Sequence, residues 1–149
     1  MNQTQKHLAS LFRSRTSVAE LLKDVCSEHS LSEEELSSLE FVRELEADHD
    51  GMCSLLWQIT IDEQLVYLLI TVLDRIDPAY VIRLIGTMTR LWLQMLEQEP
   101  YRSGEPMPPV CPITVYVGAK PWDAPSHPAH VVRPLPPRLQ GMPEVVPYA

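Results

Sequence analysis

The sequence is poor in positive charge and has no long apolar run. Its 12 lysines and arginines are outnumbered by 20 aspartates and glutamates, which gives a formal net charge of −8. This balance disfavours DNA as a partner, because non-specific binding to phosphates depends on clustered basic side chains. No window reaches about 18 consecutive apolar residues, so we expect no transmembrane helix and no membrane partner.

Cysteine is also scarce. The 3 cysteines, Cys26, Cys53 and Cys111, lie far apart in the chain. An odd number at such spacings matches neither a disulfide framework nor a zinc site, so we expect reduced thiols. The N-terminal stretch MNQTQKHLASLFRSR lacks the apolar core of a signal peptide. These observations predict a cytoplasmic protein.

The N-terminal part of the chain shows three helical patterns. Apolar residues recur at helical spacing over Gln5–Arg13, and a second helix is predicted to begin after Ser17 as its N-cap. The third helix begins at Ser32, which forms a capping-box sequence with Glu35, and its apolar stripe extends to Leu45. We therefore expect helices ahead of the first strand.

The centre of the chain has the pattern of two strands followed by a helix. Cys53–Ile61 has an extended pattern, and Asp62-Glu63 predicts a polar turn. Leu65–Leu73 is almost wholly apolar and rich in β-branched residues, which is typical of a strand covered on both faces. A helix over Pro78–Glu97 would then cross over to a third strand at Ile113–Val117. The pattern predicts an α/β fold with a small mixed sheet flanked by helices.

The helix after Pro78 is apolar over most of its circumference. Such a helix packs against a sheet, against a second subunit, or against both. The sequence therefore proposes four interface candidates on it, namely Ile85, Met88, Trp92 and Met95.

Proline marks a change in composition towards the C-terminus. Thirteen of the 14 prolines lie at or beyond Pro100. We therefore predict one domain over residues 1–122 and an extended proline-rich tail over residues 123–149. Within the tail, Arg133–Arg138 (RPLPPR) is similar to a proline-rich ligand segment, so one alternative function is a protein-binding module that uses the tail.

Several segments together resemble the recombination-promoting nuclease / putative transposase family, which belongs to the PD-(D/E)xK nuclease superfamily. The resemblance covers about residues 5 to 125 and implies a restriction-endonuclease-like core. Active enzymes of this kind use two carboxylates to hold a Mg²⁺ ion that activates water for DNA cleavage. The matching segments are Leu55-Leu56-Trp57, Tyr67–Ile70, Asp77, Arg83-Leu84-Ile85, and Pro108–Gly118 with Trp122.

The resemblance also locates the catalytic positions, and this chain departs from the family pattern at each of them. Ser54 stands at the aspartate position, Thr71 at the glutamate position and Leu73 at the glutamine position. A neutral hydroxyl cannot replace a carboxylate as a charged ligand for a hard cation. The resemblance therefore implies a catalytically inactive protein without a cofactor, acting as a homo-oligomer or as the partner or inhibitor of an active relative.

Two nearby acids leave an alternative open. Asp50 precedes Ser54 by four residues, and Asp74 follows Thr71 by three. If these carboxylates rebuilt the Mg²⁺ site, the chain would be a metal-dependent DNA endonuclease with a rearranged active site. The resemblance also implies that relatives continue beyond Trp122 into a helical region, so we expect a core that needs a protein partner to cover it.

Overall fold

The computed structural model describes residues 3–26, 30–46 and 52–143. Within them, no helix is long and apolar enough to cross a membrane. The helices and strands in chain order are α1 (Gln3–Leu11), α2 (Arg15–Val25), α3 (Glu33–Ser37), β1 (Glu40–Leu45), β2 (Met52–Ile61), β3 (Gln64–Leu73), α4 (Tyr80–Met95) and β4 (Val110–Tyr116). Short 3₁₀ turns follow α4 at Tyr101–Ser103 and β4 at Pro128–His130 and Pro137–Leu139.

The four strands form one mixed sheet in the order β1-β2-β3-β4. The pairs β1–β2 and β2–β3 are antiparallel, whereas β3 and β4 are parallel. Parallel neighbours need a long crossover, and helix α4 provides it. This arrangement confirms the predicted fold class, a restriction-endonuclease-like α/β core in which a small mixed sheet is flanked by helices.

The turn between β2 and β3 confirms the predicted polar turn. Ile61 pairs with Gln64, so the connection contains only Asp62 and Glu63. Both residues have positive φ angles, 51° and 64°. Left-handed conformations at both central positions define the type I′ turn, whose twist matches that of the strands it joins.

Glu35 joins helix α3 to this turn. The helix begins with the predicted capping box, in which the side chains and backbone N–H groups of Ser32 and Glu35 bond reciprocally. The other carboxylate oxygen of Glu35 accepts the Asp62 N–H at 3.2 Å. These hydrogen bonds, first from Ser32 and then from Asp62, lower the pKa of the Glu35 carboxyl.

Two boundaries predicted at the N-terminal side were wrong. Helix α3 ends at Ser37, and the apolar stripe that was expected to continue it to Leu45 belongs to strand β1. Phe41 and Val42 are aromatic and β-branched residues that favour a strand, and pairing with β2 decides between the two periodicities. Helix α2 begins at Arg15 with Ser14 in the N-cap position, earlier than predicted, and the Ser14 side chain makes no capping bond.

The two faces of the sheet are covered by different helices. We call the side covered by α1 and α2 the α1–α2 face and the opposite side the α4 face. The buried cluster on the α1–α2 face consists of Phe12, Val18, Leu22, Leu36, Leu39, Leu55, Trp57, Ile59, Leu68, Ile70 and Val72. Two smaller buried clusters lie on the α4 face, one with Leu45, Leu56, Leu69, Leu91 and Val110, the other with Met52, Leu73 and Tyr80.

Candidate active site

Ser54 and Thr71 lie opposite each other on neighbouring strands. They are paired residues of β2 and β3, and alternation along the strands directs both side chains to the α4 face. Their hydroxyl oxygens are 3.0 Å apart and share a hydrogen bond. Ser54 is 5% exposed and Thr71 is fully buried. The two positions at which the resemblance implies carboxylates are therefore occupied by hydroxyls that satisfy each other.

Two further hydroxyls complete this arrangement. Thr114 of β4 pairs with Thr71 of β3, and its hydroxyl lies 2.5 Å from the Tyr80 hydroxyl at the start of α4. Burial raises the pKa of Tyr80, while hydrogen bonds with Thr114 and Thr71 oppose the rise. We refer to Ser54, Thr71, Thr114 and Tyr80 as the hydroxyl cluster, a connected and uncharged group beneath helix α4.

Leu73 lies beside the hydroxyl cluster on the same face of β3. It is 3% exposed and belongs to the buried cluster with Tyr80, against which Tyr116 and Trp122 pack. The Trp122 ring meets Tyr80 and Tyr116 edge to face, with centroids 5.9 Å and 5.2 Å apart. The position that holds a polar third residue in the family pattern is thus part of an apolar, aromatic environment.

The alternative site depends on Asp50 and Asp74. Asp74 directly follows β3, its side chain is only 4% exposed, and its carboxylate lies 3.2 Å from Arg75 Nε. Asp50 lies outside the described residues. Of the two weak candidates for a rebuilt metal site, only Asp74 lies among the described residues. That the two acids together hold a metal ion stays a prediction.

The donors at the hydroxyl cluster do not fit a Mg²⁺ ion. Magnesium binds through carboxylates and waters, whereas Ser54 and Thr71 offer neutral oxygens already engaged with each other. Among the described residues, no group of three His, Cys, Asp or Glu side chains is close enough to hold a metal ion. The hydroxyl cluster therefore supports no metal-dependent step.

A cavity of about 300 Å³ opens beside the hydroxyl cluster. Its walls combine aromatic rings and aliphatic side chains with four hydroxyl groups and carry no charged side chain. A phosphodiester entering it would meet no cation, since phosphate recognition relies on Arg, Lys or a metal ion. The lining residues are Tyr80, Val81, Leu84, Thr114, Tyr116, Trp122, Pro125 and Ser126.

Asp77 and Arg83, two residues of the family resemblance, serve the start of helix α4. Asp77 Oδ1 accepts the Ala79 N–H at 2.9 Å, and Asp77 Oδ2 accepts Arg83 Nε at 2.6 Å. The carboxylate therefore orders the first turn and pairs with a cation one turn further on. This contact gives both residues a structural role.

The four interface candidates on α4 point in different directions. Ile85 is 41% exposed. Met88 and Trp92 pack against the buried cluster of the α4 face, and Trp92 Nε1 donates to the Pro108 carbonyl at 3.1 Å. Met95 is half-buried. Within this set, Ile85 offers the largest exposed apolar surface, while Met88 and Trp92 face their own sheet.

Sequence reasoning missed Thr114 and Tyr80. Thr114 sits in a short apolar strand, and Tyr80 follows Asp77-Pro78 without any catalytic motif. The only available signal was the presence of a hydroxyl residue within each of two apolar strands, Thr71 in β3 and Thr114 in β4. Their contact depends on the register of a parallel pair, which local sequence does not encode.

Comparison with known proteins places this geometry in a family. No curated protein and no solved structure matches the chain at a significant level. A family model described as "Putative transposase, YhgA-like" matches residues 4–142. The match includes the whole sheet, helix α4 and most of the proline-rich segment. The chain therefore belongs to the family of YhgA-like putative transposases.

Proposed function

We propose that this family member is catalytically inactive and acts in the cytoplasm by associating with protein. The observation that supports inactivity is the hydroxyl cluster. Its Ser54 and Thr71 stand where a nuclease of this fold needs two metal-binding carboxylates, and their oxygens are 3.0 Å apart in a hydrogen bond. The chain thus keeps the scaffold and lacks the charge that would hold and polarise a metal ion.

Burial strengthens this argument. Thr71 is fully buried and Ser54 is 5% exposed, so neither water nor a phosphate oxygen reaches the centre of the pair. A hydroxyl in a protein interior does not ionise near neutral pH, since desolvation disfavours its charged form. The raised pKa of Tyr80 follows the same physical cause and keeps the adjoining phenol neutral.

Exposed apolar side chains support association. Ile85 and Leu93 of helix α4 and Leu96 at its C-cap are 41%, 56% and 41% exposed. Single exposed apolar residues are ordinary, whereas a contiguous row on one helix is typical of an interaction surface. The three unpaired thiols, Cys26, Cys53 and Cys111, are compatible with a reducing compartment.

The rival proposal is a metal-dependent endonuclease with a rearranged site. It is favoured by the nearly buried carboxylate of Asp74 at the end of β3. A second rival is binding through the proline-rich tail, favoured by the exposure of Val132, Leu135 and Met142, which are 57%, 59% and 62% exposed. The endonuclease rival predicts metal-dependent DNA cleavage by wild type, whereas the tail rival predicts association that is lost when residues 123–149 are removed.

The test is a DNA cleavage assay with Mg²⁺ and Mn²⁺. Wild type is compared with a variant that restores the family pattern, Ser54→Asp/Thr71→Glu/Leu73→Gln, and with the matched uncharged variant Ser54→Asn/Thr71→Gln/Leu73→Gln. We expect no cleavage by wild type or by the uncharged variant, and metal-dependent cleavage by the restored one. Circular dichroism shows whether each variant is folded.

The wild-type result decides the proposal even when the restored variant does not fold. Metal-dependent cleavage by wild type that disappears in Asp74→Asn or Asp50→Asn would establish the rearranged endonuclease and overturn inactivity. Wild type that stays inactive, together with a restored variant that cuts, would show that missing charge alone separates this chain from an enzyme.

A further inference from the structure

Helix α4 has a second apolar side that no other part of the described chain covers. We call the row formed by Ile82, Ile85, Thr89, Leu93 and Leu96 the α4 stripe. Its members follow at intervals of three, four, four and three residues, so they share one side of the helix. All of them are exposed, and the two aliphatic residues at its ends are 38% and 41% exposed.

The spacing of the α4 stripe is symmetric about Thr89. Ile85 and Leu93 lie four residues to either side of it, and Ile82 and Leu96 lie seven residues away. A two-fold axis through Thr89 therefore places Ile85 against Leu93 of a second copy, and Ile82 against Leu96 of that copy. An interface around a two-fold axis requires such a self-complementary surface.

We propose that helix α4 pairs antiparallel with helix α4 of a second copy of this chain, centred on Thr89. The pairing rests on the proposed function, since it identifies the partner as the same chain. It buries the α4 stripe of both copies and leaves the sheet and the hydroxyl cluster unchanged. Antiparallel packing also places the positive end of each helix dipole beside the negative end of the other, which is the favourable orientation.

Gly86 provides a second observation. Glycine in the middle of a helix is unfavourable compared with alanine. A Cβ added at Gly86 would meet no atom within 4 Å, so the chain's own packing does not require a glycine there. In the proposed pair, Leu93 of the second copy lies over Gly86, and the missing side chain permits the close approach.

Thr89 is suited to a position on the two-fold axis. Its hydroxyl donates to the Ile85 carbonyl of its own helix at 2.8 Å, so its hydrogen-bonding need is met without a partner. The side chain can then present its methyl group to the second copy. Contact between two such methyl groups leaves no polar atom unsatisfied at the centre of the interface.

Charges beside the α4 stripe are compatible with this orientation. The antiparallel arrangement brings Arg83 within about one helical turn of Glu97 of the second copy. Arg90 lies near the axis and therefore near Arg90 of the second copy. Its guanidinium is directed towards Thr87 Oγ1 of its own helix, at 3.3 Å. Because Arg83 Nε already pairs with Asp77 of its own chain, each Glu97 adds an opposite charge beside an existing ion pair.

Sedimentation of the full chain tests the pairing. We expect wild type to sediment with twice the chain mass of 17.0 kDa. Leu93→Glu should convert it to a monomer, because each dimer would then bury two uncompensated charges. Leu139→Glu is the matched control, since Leu139 is a 46% exposed leucine in the tail, and it should leave the dimer intact. A monomeric wild type, or a dimer that Leu93→Glu leaves unchanged, would overturn the pairing.

Disulfide cross-linking tests the position of the axis. In a Cys111→Ser background, the thiols that Thr89→Cys introduces in the two copies should form a disulfide with each other under oxidising conditions. Helices packed about 8–10 Å apart bring facing Cα atoms within the roughly 7 Å limit of a disulfide. Gln94→Cys is the control, because Gln94 lies within α4 and five residues from the axis at about 1.5 Å each separate its two copies by roughly 15 Å. Equal cross-linking at both positions would contradict the proposed register.

Gly86→Ala tests whether the missing side chain at Gly86 permits the close approach of the second copy. In the monomeric Leu93→Glu background, the substitution should raise the melting temperature, because alanine favours the helix. In the wild-type background, it should weaken the dimer by several fold, because the new methyl group occupies the space used by the second copy. Stabilisation of both monomer and dimer would contradict the close approach.

These outcomes separate the pairing from the proposed inactivity. A monomer that does not cut DNA would overturn the pairing alone. A dimer that cuts DNA would overturn the inactivity alone.

Discussion

The two faces of the central sheet differ in composition although the same strands supply both. On the α1–α2 face, β2 and β3 contribute only apolar side chains to the buried cluster, with Trp57 at its centre. On the α4 face, the apolar packing is interrupted by the hydroxyl cluster. The strands' contribution to the α1–α2 face is therefore apolar, and the fully buried Gln5 of α1 bonds there to the Val72 carbonyl at 2.7 Å. The α4 face instead has hydroxyls at the positions where the resemblance implies catalytic residues.

Under the proposed function, this difference is what a fold that has lost its chemistry would show. Replacing two carboxylates by hydroxyls removes charge that would be costly to bury without a metal ion. The Ser54 and Thr71 oxygens bond to each other, so the buried pair is satisfied without a metal ion. Of the three predictions below, the first and the third compare the two faces and the second tests the hydroxyl pair of the α4 face, in order of decreasing effect on stability.

The largest effect is expected from Trp57→Ala compared with Trp92→Ala. Trp57 is 2% exposed, its indole donates to the Phe12 carbonyl at 2.8 Å, and its ring meets Phe41 edge to face at 5.5 Å. Its loss should cost about 3–5 kcal/mol of unfolding free energy. Trp92 is half-buried on the α4 face, so its loss should cost about 1–2 kcal/mol.

Urea unfolding measures both variants, in the Leu93→Glu background so that association does not contribute. Equal losses of unfolding free energy in Trp57→Ala and Trp92→Ala would contradict the expected difference, because they would show that the two faces contribute equally to stability.

An intermediate effect is expected from the hydroxyl pair. Thr71→Val leaves the buried Ser54 hydroxyl without its partner and should cost about 1–3 kcal/mol. Ser54→Ala should cost less, because Thr71 keeps its hydrogen bond with Tyr80. The double variant should cost less than the sum of the two, with a coupling of about 0.5–1.5 kcal/mol. Thr60→Val, at an exposed position of β2, is the control and should change stability by less than about 0.5 kcal/mol. Strict additivity in urea unfolding would show that the hydroxyls act independently.

The smallest effect concerns alkaline pH. Burial, with the neighbouring Glu44 carboxylate, raises the pKa of Cys53 from 9.0 to about 11. Because the folded value exceeds the unfolded one, the contribution to stability is complete below pH 9 and disappears as the pH rises towards 11. Tyr80 on the α4 face has a raised pKa for the same reason, so its contribution is lost above its ordinary value of 10.0.

Unfolding free energies measured from pH 8 to 11 check this difference. Cys53→Ala should flatten the decline that begins near pH 9, whereas Tyr80→Phe should flatten only the part that begins near pH 10. A decline that neither substitution alters would show that other groups control the alkaline limit.

Much of the fold followed from local sequence patterns. The hairpin of β2 and β3, its turn at Asp62-Glu63 and the crossover helix α4 were predicted because strand alternation, turn residues and helical periodicity agreed there. Strand β1 was missed because its apolar residues also fit the spacing of a helix that begins at Ser32. Pairing with β2, a tertiary contact, decides that segment.

The candidate site was predicted only in part. The resemblance located Ser54, Thr71 and Leu73, and the structure brings all three to one face of the sheet. It could not supply Thr114 and Tyr80, which reach Thr71 through the register of β4 and the first turn of α4. Among the interface candidates, burial separates Ile85 from Met88 and Trp92, because a helix that is apolar all round does not reveal which side faces its own sheet.

Binding of Mn²⁺ to the full chain tests the central claim most directly, and electron paramagnetic resonance measures the free and bound ion. The hydroxyl cluster offers no charged ligand, so wild type should bind no Mn²⁺ at a specific site, whereas Ser54→Asp/Thr71→Glu/Leu73→Gln should bind one ion per chain. Stoichiometric binding by wild type that is lost in Asp74→Asn or Asp50→Asn would contradict the claim, because it would show that the chain has rebuilt a metal site beside the hydroxyl cluster.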